Sequence, residues 1–233
     1  MATPSSNKTL AKIGGPSSLV LIYGFVGVIA LGTMLLVLPI SSSTGESTSF
    51  VDALFTATSA VCVTGLVVVD TSGHWSAFGQ VIILILIQVG GFGFMASATL
   101  FLLAFRRRIG LRERLIISES AGLTRLGGLL RLVKQMALFT LGIEGIGAMV
   151  FYFRFLSDNP PGTAVWEAIF HSVSAFNNAG FDLFGNFRSL SEYKADPLVL
   201  LVTASLIILG GISYLLLVDL FRSRNLSKLS LDS

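Results

Sequence analysis

Four long apolar runs constrain this 233-residue chain more than any other feature. Residues 19–38, 77–105, 135–156 and 198–220 form runs of 20 to 29 residues. At 1.5 Å rise per residue each is long enough to cross a hydrocarbon core of roughly 30 Å. The first run is too long for a signal-peptide apolar segment of about 7–15 residues, so it reads as a retained helix. A mean hydropathy of +0.81, with only 12% of residues charged, fits a chain whose solvent is lipid. The single cysteine, Cys62, excludes an internal disulfide framework and a cysteine-based zinc site. The basic residues sit between the apolar runs, which reads as membrane topology and not as a nucleic-acid surface.

Two shorter apolar segments, 50–69 and 166–184, are ambiguous by hydropathy, and charge resolves them. The loop 106–134 carries Arg106, Arg107, Arg108, Arg112, Arg114, Arg125, Arg131 and Lys134 against Glu113 and Glu119. Lys8 and Lys12 precede the first run, and Arg222, Arg224 and Lys228 follow the last. If only the four long runs span, 2 + 8 + 3 places 13 of the 16 Lys/Arg on one side. The region 40–76 would then lie opposite, with Glu46, Asp52 and Asp70 and no Lys or Arg. The positive-inside rule makes the basic side cytoplasmic, so 50–69 is expected to enter from outside and return there. Ser49 followed by Asp52 is a helix start signal, predicting a short helix from Phe50 to about Val61. At roughly 18 Å it would reach a little past the bilayer midplane, with Cys62–Gly65 as an extended return. Irregular backbone at that depth must be buried in protein or line water.

The two ambiguous segments repeat. At an offset of 115, VDALFTATSAVCVTG (Val51–Gly65) faces WEAIFHSVSAFNNAG (Trp166–Gly180). Ala53/Ala168, Phe55/Phe170, Ser59/Ser174, Ala60/Ala175 and Gly65/Gly180 are identical. A glycine pair follows each loop, Gly90-Gly91 and Gly210-Gly211, and a basic cluster closes each unit. The expected organisation is a cytoplasmic tail 1–18, a span–loop–span unit 19–105, a basic cytoplasmic linker 106–134, a second unit 135–221 and a tail 222–233. This is an all-α membrane protein with two parallel repeats, a pattern of transport folds.

Such a unit suits a cation. A half-helix descending from outside aims its carbonyl end, with its partial negative charge, at the midplane. Backbone carbonyls beyond it can replace a hydration shell, and glycine permits the dihedrals and close approach this needs. Asp70 and Asp182 follow the two loops and either concentrate cations at an outer mouth or lie in solvated loops.

ATSAVCVTGLVVVDT (Ala57–Thr71) resembles the first filter region of the bacterial Ktr/Trk potassium-uptake transporters, relatives of the plant HKT proteins. SAFNNAGFD (Ser174–Asp182) resembles their second, and the likeness covers nearly the whole chain. It is closest to the Ktr membrane subunit. The resemblance implies a potassium-channel-like pore with four span–loop–span repeats about a pseudo-fourfold axis. It assigns the filter to Cys62, Val63, Thr64 and Gly65, and to Asn177, Asn178, Ala179 and Gly180. Glycine at 65, where sodium-transporting relatives have serine, implies potassium, with sodium as a candidate coupling ion. Only two repeats are present, so the chain is expected to be the N-terminal half of a longer protein. The resemblance further implies a homodimer of full-length subunits, a cytosolic nucleotide-binding ring as partner, and a multi-pass plasma-membrane location with a cytoplasmic N-terminus. The second glycine motif departs from the family at Ser213, which leaves the packing there open.

Glu144, about 15 Å along its span from Lys134, is an intramembrane carboxylate and therefore a functional candidate. The expected role is to brace the filter by hydrogen-bonding loop backbone, with a partner in the missing half or ion contact as alternatives. The glycine pairs are read as helix packing, Cys62 as a backbone-carbonyl donor, and His171 as a packing residue. The alternative classes are a non-conducting structural membrane fragment and an intramembrane hydrolase. The chain lacks G-x-S-x-G and H-E-x-x-H, and a hydrolase needs no duplicated loop, so no enzyme is expected.

Overall fold

The computed structural model describes the backbone of residues 16–106 and 126–212 and the side chains of 22–93 and 134–212. Most of the basic linker, residues 1–15 of the first tail, the second tail and Ser213 lie outside the described residues. Seven α-helices are described: α1 (Pro16–Val37), α2 (Phe50–Val61), α3 (Thr71–His74), α4 (Ala77–Arg106), α5 (Leu126–Phe155), α6 (Pro161–Phe176) and α7 (Pro197–Gly211). Short 3-10 turns lie at Pro39–Ser41 and Ser189–Tyr193.

Each helix starts where its residues dictate. Ser49 Oγ accepts the Asp52 N–H at 3.5 Å to open α2, as the start signal predicts. Pro161 opens α6 and Pro197 opens α7, in the first turn where no N–H is needed. Asp196 caps α7 by accepting from Leu198 N–H at 3.0 Å and Val199 N–H at 3.2 Å. Helix α7 ends at Gly211 with Ile212 extended; the rest of the expected fourth span lies outside the described residues.

The helices group by repeat. α1 packs on α2 and α4; α5 packs on α6 and α7. In the first group Leu36, Ile83 and Ile87 close over Ala53, Ala57 and Ala60. Those alanines stand at i, i+4 and i+7 on α2, so one face of small residues admits its neighbours closely. In the second, Phe151 and Phe155 stack at 5.4 Å against Ala164, Ala168 and Phe176. Phe170, Ala179, Phe181 and Leu183 of the second repeat enter the core of the first, so the two halves share one interior.

The outer faces remain apolar. Leu138, Ile146, Met149 and Phe153 on α5 and Leu201 and Ile208 on α7 are exposed. In water such faces would drive association; against lipid or further helices they are satisfied. Among the described side chains, Lys134–Phe155 is the stretch long and apolar enough to cross a membrane. Ile22–Val37, Ala77–Gly93 and Pro197–Gly211 are shorter apolar helices.

At one end of the second repeat Arg154 is hydrogen-bonded to Asp196 and, at 2.8 Å, to Asp158, tying the last turn of α5 to the cap of α7. In the first repeat Ser42 and Trp75 form a β-bridge that joins the connector after α1 to the segment after α3.

Candidate functional site

Helices α2 and α6 end in the same backbone pattern. Cys62 N–H bonds to Thr58 O at 2.8 Å, Val63 N–H to Ala60 O at 3.3 Å and Thr64 N–H to Ser59 O at 2.9 Å. Shifted by 115 residues, Asn177 bonds to Val173 at 3.0 Å, Asn178 to Ala175 at 3.1 Å and Ala179 to Ser174 at 2.8 Å. Val63 and Asn178 are left-handed, with φ of 55° and 59°, and so are Gly65 and Gly180, at 72° and 73°. The return at Cys62–Gly65 is therefore not the extended strand expected from its β-branched residues, and the second loop follows the same pattern. Two left-handed residues flank a single intervening one, and the chain turns back tightly over the helix end. For Val63 this conformation costs on the order of 1–2 kcal/mol, and such strain persists only where the surroundings over-determine it.

Glycine is required where these turns meet. A Cβ at Gly65 would lie 2.6 Å from Ala179 O and 3.0 Å from Gly180 Cα, so the loops touch backbone to backbone. A Cβ at Gly90 would lie 2.1 Å from Val61 O, and one at Gly210 would lie 1.6 Å from Phe176 O. In each repeat the helix after the loop thus presses a glycine on the carbonyl end of the short helix. The expected packing role describes Gly90, Gly91 and Gly210; Gly211 has nothing within 4 Å.

Glu144 is buried on α5 and faces the second loop. Its Oε1 accepts Asn177 Nδ2–H at 3.0 Å and its Oε2 accepts Gln88 Nε2–H at 3.3 Å. Gln88 Oε1 in turn accepts from Asn177 Nδ2 at 3.2 Å. The carboxylate therefore meets a side-chain amide of the loop and not its backbone, which corrects the expected contact. The main-chain carbonyl of Glu144 takes a second role, accepting Ser172 Oγ–H at 2.6 Å.

His171 does more than pack. Leu183 N–H donates to its Nε2 at 3.2 Å, so Nδ1 carries the proton and donates to Glu167 O at 2.7 Å. Its ring stacks on Phe184 at 4.1 Å. Ser174 Oγ–H donates to Phe181 O at 2.6 Å, so two side chains of α6 hold the segment leaving the second loop. In the first loop Thr64 Oγ–H reaches Ser59 Oγ at 2.9 Å.

Asp70 caps α3, accepting Gly73 N–H at 2.7 Å, and also accepts Phe187 N–H at 3.0 Å from the other repeat. Asp182 accepts the N–H of Phe184 at 3.1 Å; burial, and secondarily the charge of Asp70, raises its carboxyl above the ordinary range.

Of the eight residues assigned to the loops, Cys62, Thr64, Asn178 and Gly180 are exposed and Val63 and Gly65 are half-buried. Asn177 and Ala179 are buried, and the Asn177 side chain turns away into the Glu144 network. Sequence reasoning missed Gln88, although it is the one polar side chain between Val81 and Ala96. It also missed Ser59, Ser172 and Ser174 as pins, since serines on a short helix carry no such signal.

The family model described as TrkH, cation transport protein, matches residues 17–231. The chain is 42% identical over 214 residues to Ktr system potassium uptake protein B of Bacillus subtilis (strain 168), covering 92% of the chain and 47% of that protein. It is 39% identical over 210 residues to potassium/sodium uptake protein NtpJ of Enterococcus hirae, covering 90% and 46%. Against Ktr system potassium uptake protein B of Vibrio alginolyticus it is 39% identical over 219 residues, covering 94% and 47%. The chain spans about half the length of these curated relatives.

Proposed function

The chain belongs to the TrkH family of cation transport proteins, a family of membrane transporters and not of enzymes, and from that premise we propose that it supplies two of four repeats to a potassium-uptake pore. The observation that carries the proposal is the matched pair of turns, left-handed at Val63 and Gly65 and again at Asn178 and Gly180. Cys62, Val63, Thr64 and Gly65 and their counterparts Asn177, Asn178, Ala179 and Gly180 form two walls of a selectivity filter. Each wall sits beyond the carbonyl end of a short helix, where partial negative charge favours a cation, and its main-chain carbonyls replace water around potassium.

The repeats are arranged about a pseudo-fourfold axis, with the remaining half of the protein closing the pore. Glu144 supports the second wall through Asn177. Asp182, with one acceptor bond to Phe184, and Asp70 lend negative potential to the outer mouth. One relative is named for potassium and sodium uptake, and sodium is the candidate coupling ion. The protein is multi-pass in the plasma membrane with its N-terminus and basic linker cytoplasmic, where the linker meets anionic lipid. Two full-length subunits pair, and a nucleotide-binding ring docks on the cytosolic face.

The test is growth of a potassium-uptake-deficient bacterium on low potassium, using the full-length protein with Gly65→Ser or Gly180→Ser. Reduced potassium selectivity with more sodium entering is expected. Unchanged uptake and selectivity in both variants would overturn the filter assignment.

A further inference from the structure

We propose that Gln88 is a positioning residue for the second loop, tying that loop to the first repeat through one amide that serves Glu144 and Asn177 at once. The inference rests on the filter reading above and adds a residue, and a dependence of one repeat on the other, that the reading does not contain.

Helix α4 of the first repeat holds α6 of the second at both ends. Near the start of α6, Trp166 Nε1–H donates to Gln80 Oε1 at 2.7 Å, and Gln80 Nε2–H is itself held by Trp75 O at 3.0 Å. Just past its end, Asn177 meets Gln88 at 3.2 Å. Gln80 and Gln88 lie eight residues apart, about 12 Å along the helix. The two helices therefore run in the same direction and are joined twice.

A neutral amide fits both partners at the inner joint. Glu144 Oε2 needs a donor, and the two Asn177 Nδ2 hydrogens are shared among Glu144 Oε1 at 3.0 Å, Val173 O at 2.9 Å and Gln88 Oε1 at 3.2 Å. Gln supplies both functions from one side chain; a carboxylate would supply only acceptors and an ammonium only donors. An apolar residue would leave the Glu144 carboxylate with one fewer donor inside a low-dielectric interior.

Close packing reinforces the joint. A Cβ on Gly91 would lie 1.8 Å from Asn177 Oδ1, while one on Gly90 would lie 2.1 Å from Val61 O. Neighbouring glycines of α4 thus press on the ends of both short helices, one on each. Among the described residues, however, the polar joint is made to the second loop alone. The position equivalent to Asn177 is Cys62, which is exposed, and the first loop is locked within its own repeat by Thr64 and Ser59.

The experiment measures potassium and sodium uptake by the full-length protein with Gln88→Leu, with Gly65→Ser and Gly180→Ser in parallel. Gln88→Leu is expected to lower the potassium-to-sodium ratio about fivefold or more, the scale of one net hydrogen bond, at unchanged membrane abundance. Adding Asn177→Leu is expected to cause no loss beyond the worse single variant, because both act through one network. If the Leu variant fails to accumulate, Gln88→Asn, with the amide withdrawn by one methylene, must show the selectivity loss instead. A normal ratio at normal abundance, or losses that multiply in the double variant, overturns the proposal. If the glycine variants alter selectivity and the Gln88 variants do not, the filter reading stands and this inference falls. If none does, both fall.

Discussion

Gly65 and Gly180 stand backbone against backbone, close enough that a Cβ on Gly65 would lie 3.0 Å from Gly180 Cα. The contact is not symmetric. The added atom at 65 would also meet Ala179 O at 2.6 Å, whereas one at 180 meets only Gly65 Cα, at 3.3 Å. Both residues carry a positive φ, so both substitutions pay the left-handed penalty of about 1–2 kcal/mol, but only position 65 adds a backbone collision.

Gly65→Ala should therefore impair potassium uptake more than Gly180→Ala at equal membrane abundance. Initial uptake rates of the two full-length variants decide this; equal losses would mean that the close approach to Ala179 carries no functional weight.

The glycines of the following helices should divide in the same way. Gly90→Ala and Gly210→Ala place a methyl group into main-chain carbonyls and are expected to destabilise by about 1–3 kcal/mol each, as overpacking does. Gly211→Ala meets open space and should be neutral. Thermal unfolding of the detergent-solubilised protein provides the comparison.

His171→Phe keeps the ring and its stacking on Phe184 but removes the acceptor for Leu183 N–H. A buried donor left unpaired costs about 1–3 kcal/mol, so this variant should unfold at lower temperature than wild type. Hydrogen exchange at the Leu183 amide should quicken as well, and an unchanged exchange rate would refute the pin.

The cap of α7 gives a pH dependence. The hydrogen bond from Arg154, and then the Val199 amide, hold the Asp196 carboxyl below its ordinary value. Its folded pKa is depressed, so its contribution is present above the unfolded pKa and is lost as pH falls through the folded one. The stability advantage of wild type over Asp196→Asn should thus be constant near neutrality and vanish in strong acid. Melting curves across that range test it, and an advantage that survives full protonation would assign the effect to packing.

Much of the architecture was legible in the chain itself. Apolar runs separated by a basic linker predict membrane helices, because lipid offers backbone no hydrogen-bond partner and charge no hydration. The start of α2 at Phe50 was readable from Ser49 and Asp52, and its end from the change at Cys62, since caps and breakers act locally. The duplicated register was readable too: an offset of 115 found by matching residues recurs as matched hydrogen bonds and matched left-handed residues.

The tertiary structure decided what depends on approach between distant segments. An extended return is expected at Cys62–Gly65 because valine and threonine favour strands, yet the turn closed by Val63 N–H to Ala60 O and Thr64 N–H to Ser59 O has Val63 left-handed. Glu144 was identifiable as a buried carboxylate, but its partners were not, because Gln88 and Asn177 are 56 and 33 residues away and meet only once α4, α5 and α6 pack. Local sequence determines where a helix starts and which face is apolar. Which amide meets which carboxylate is settled by the crossing of helices, and that is a property of the packed whole.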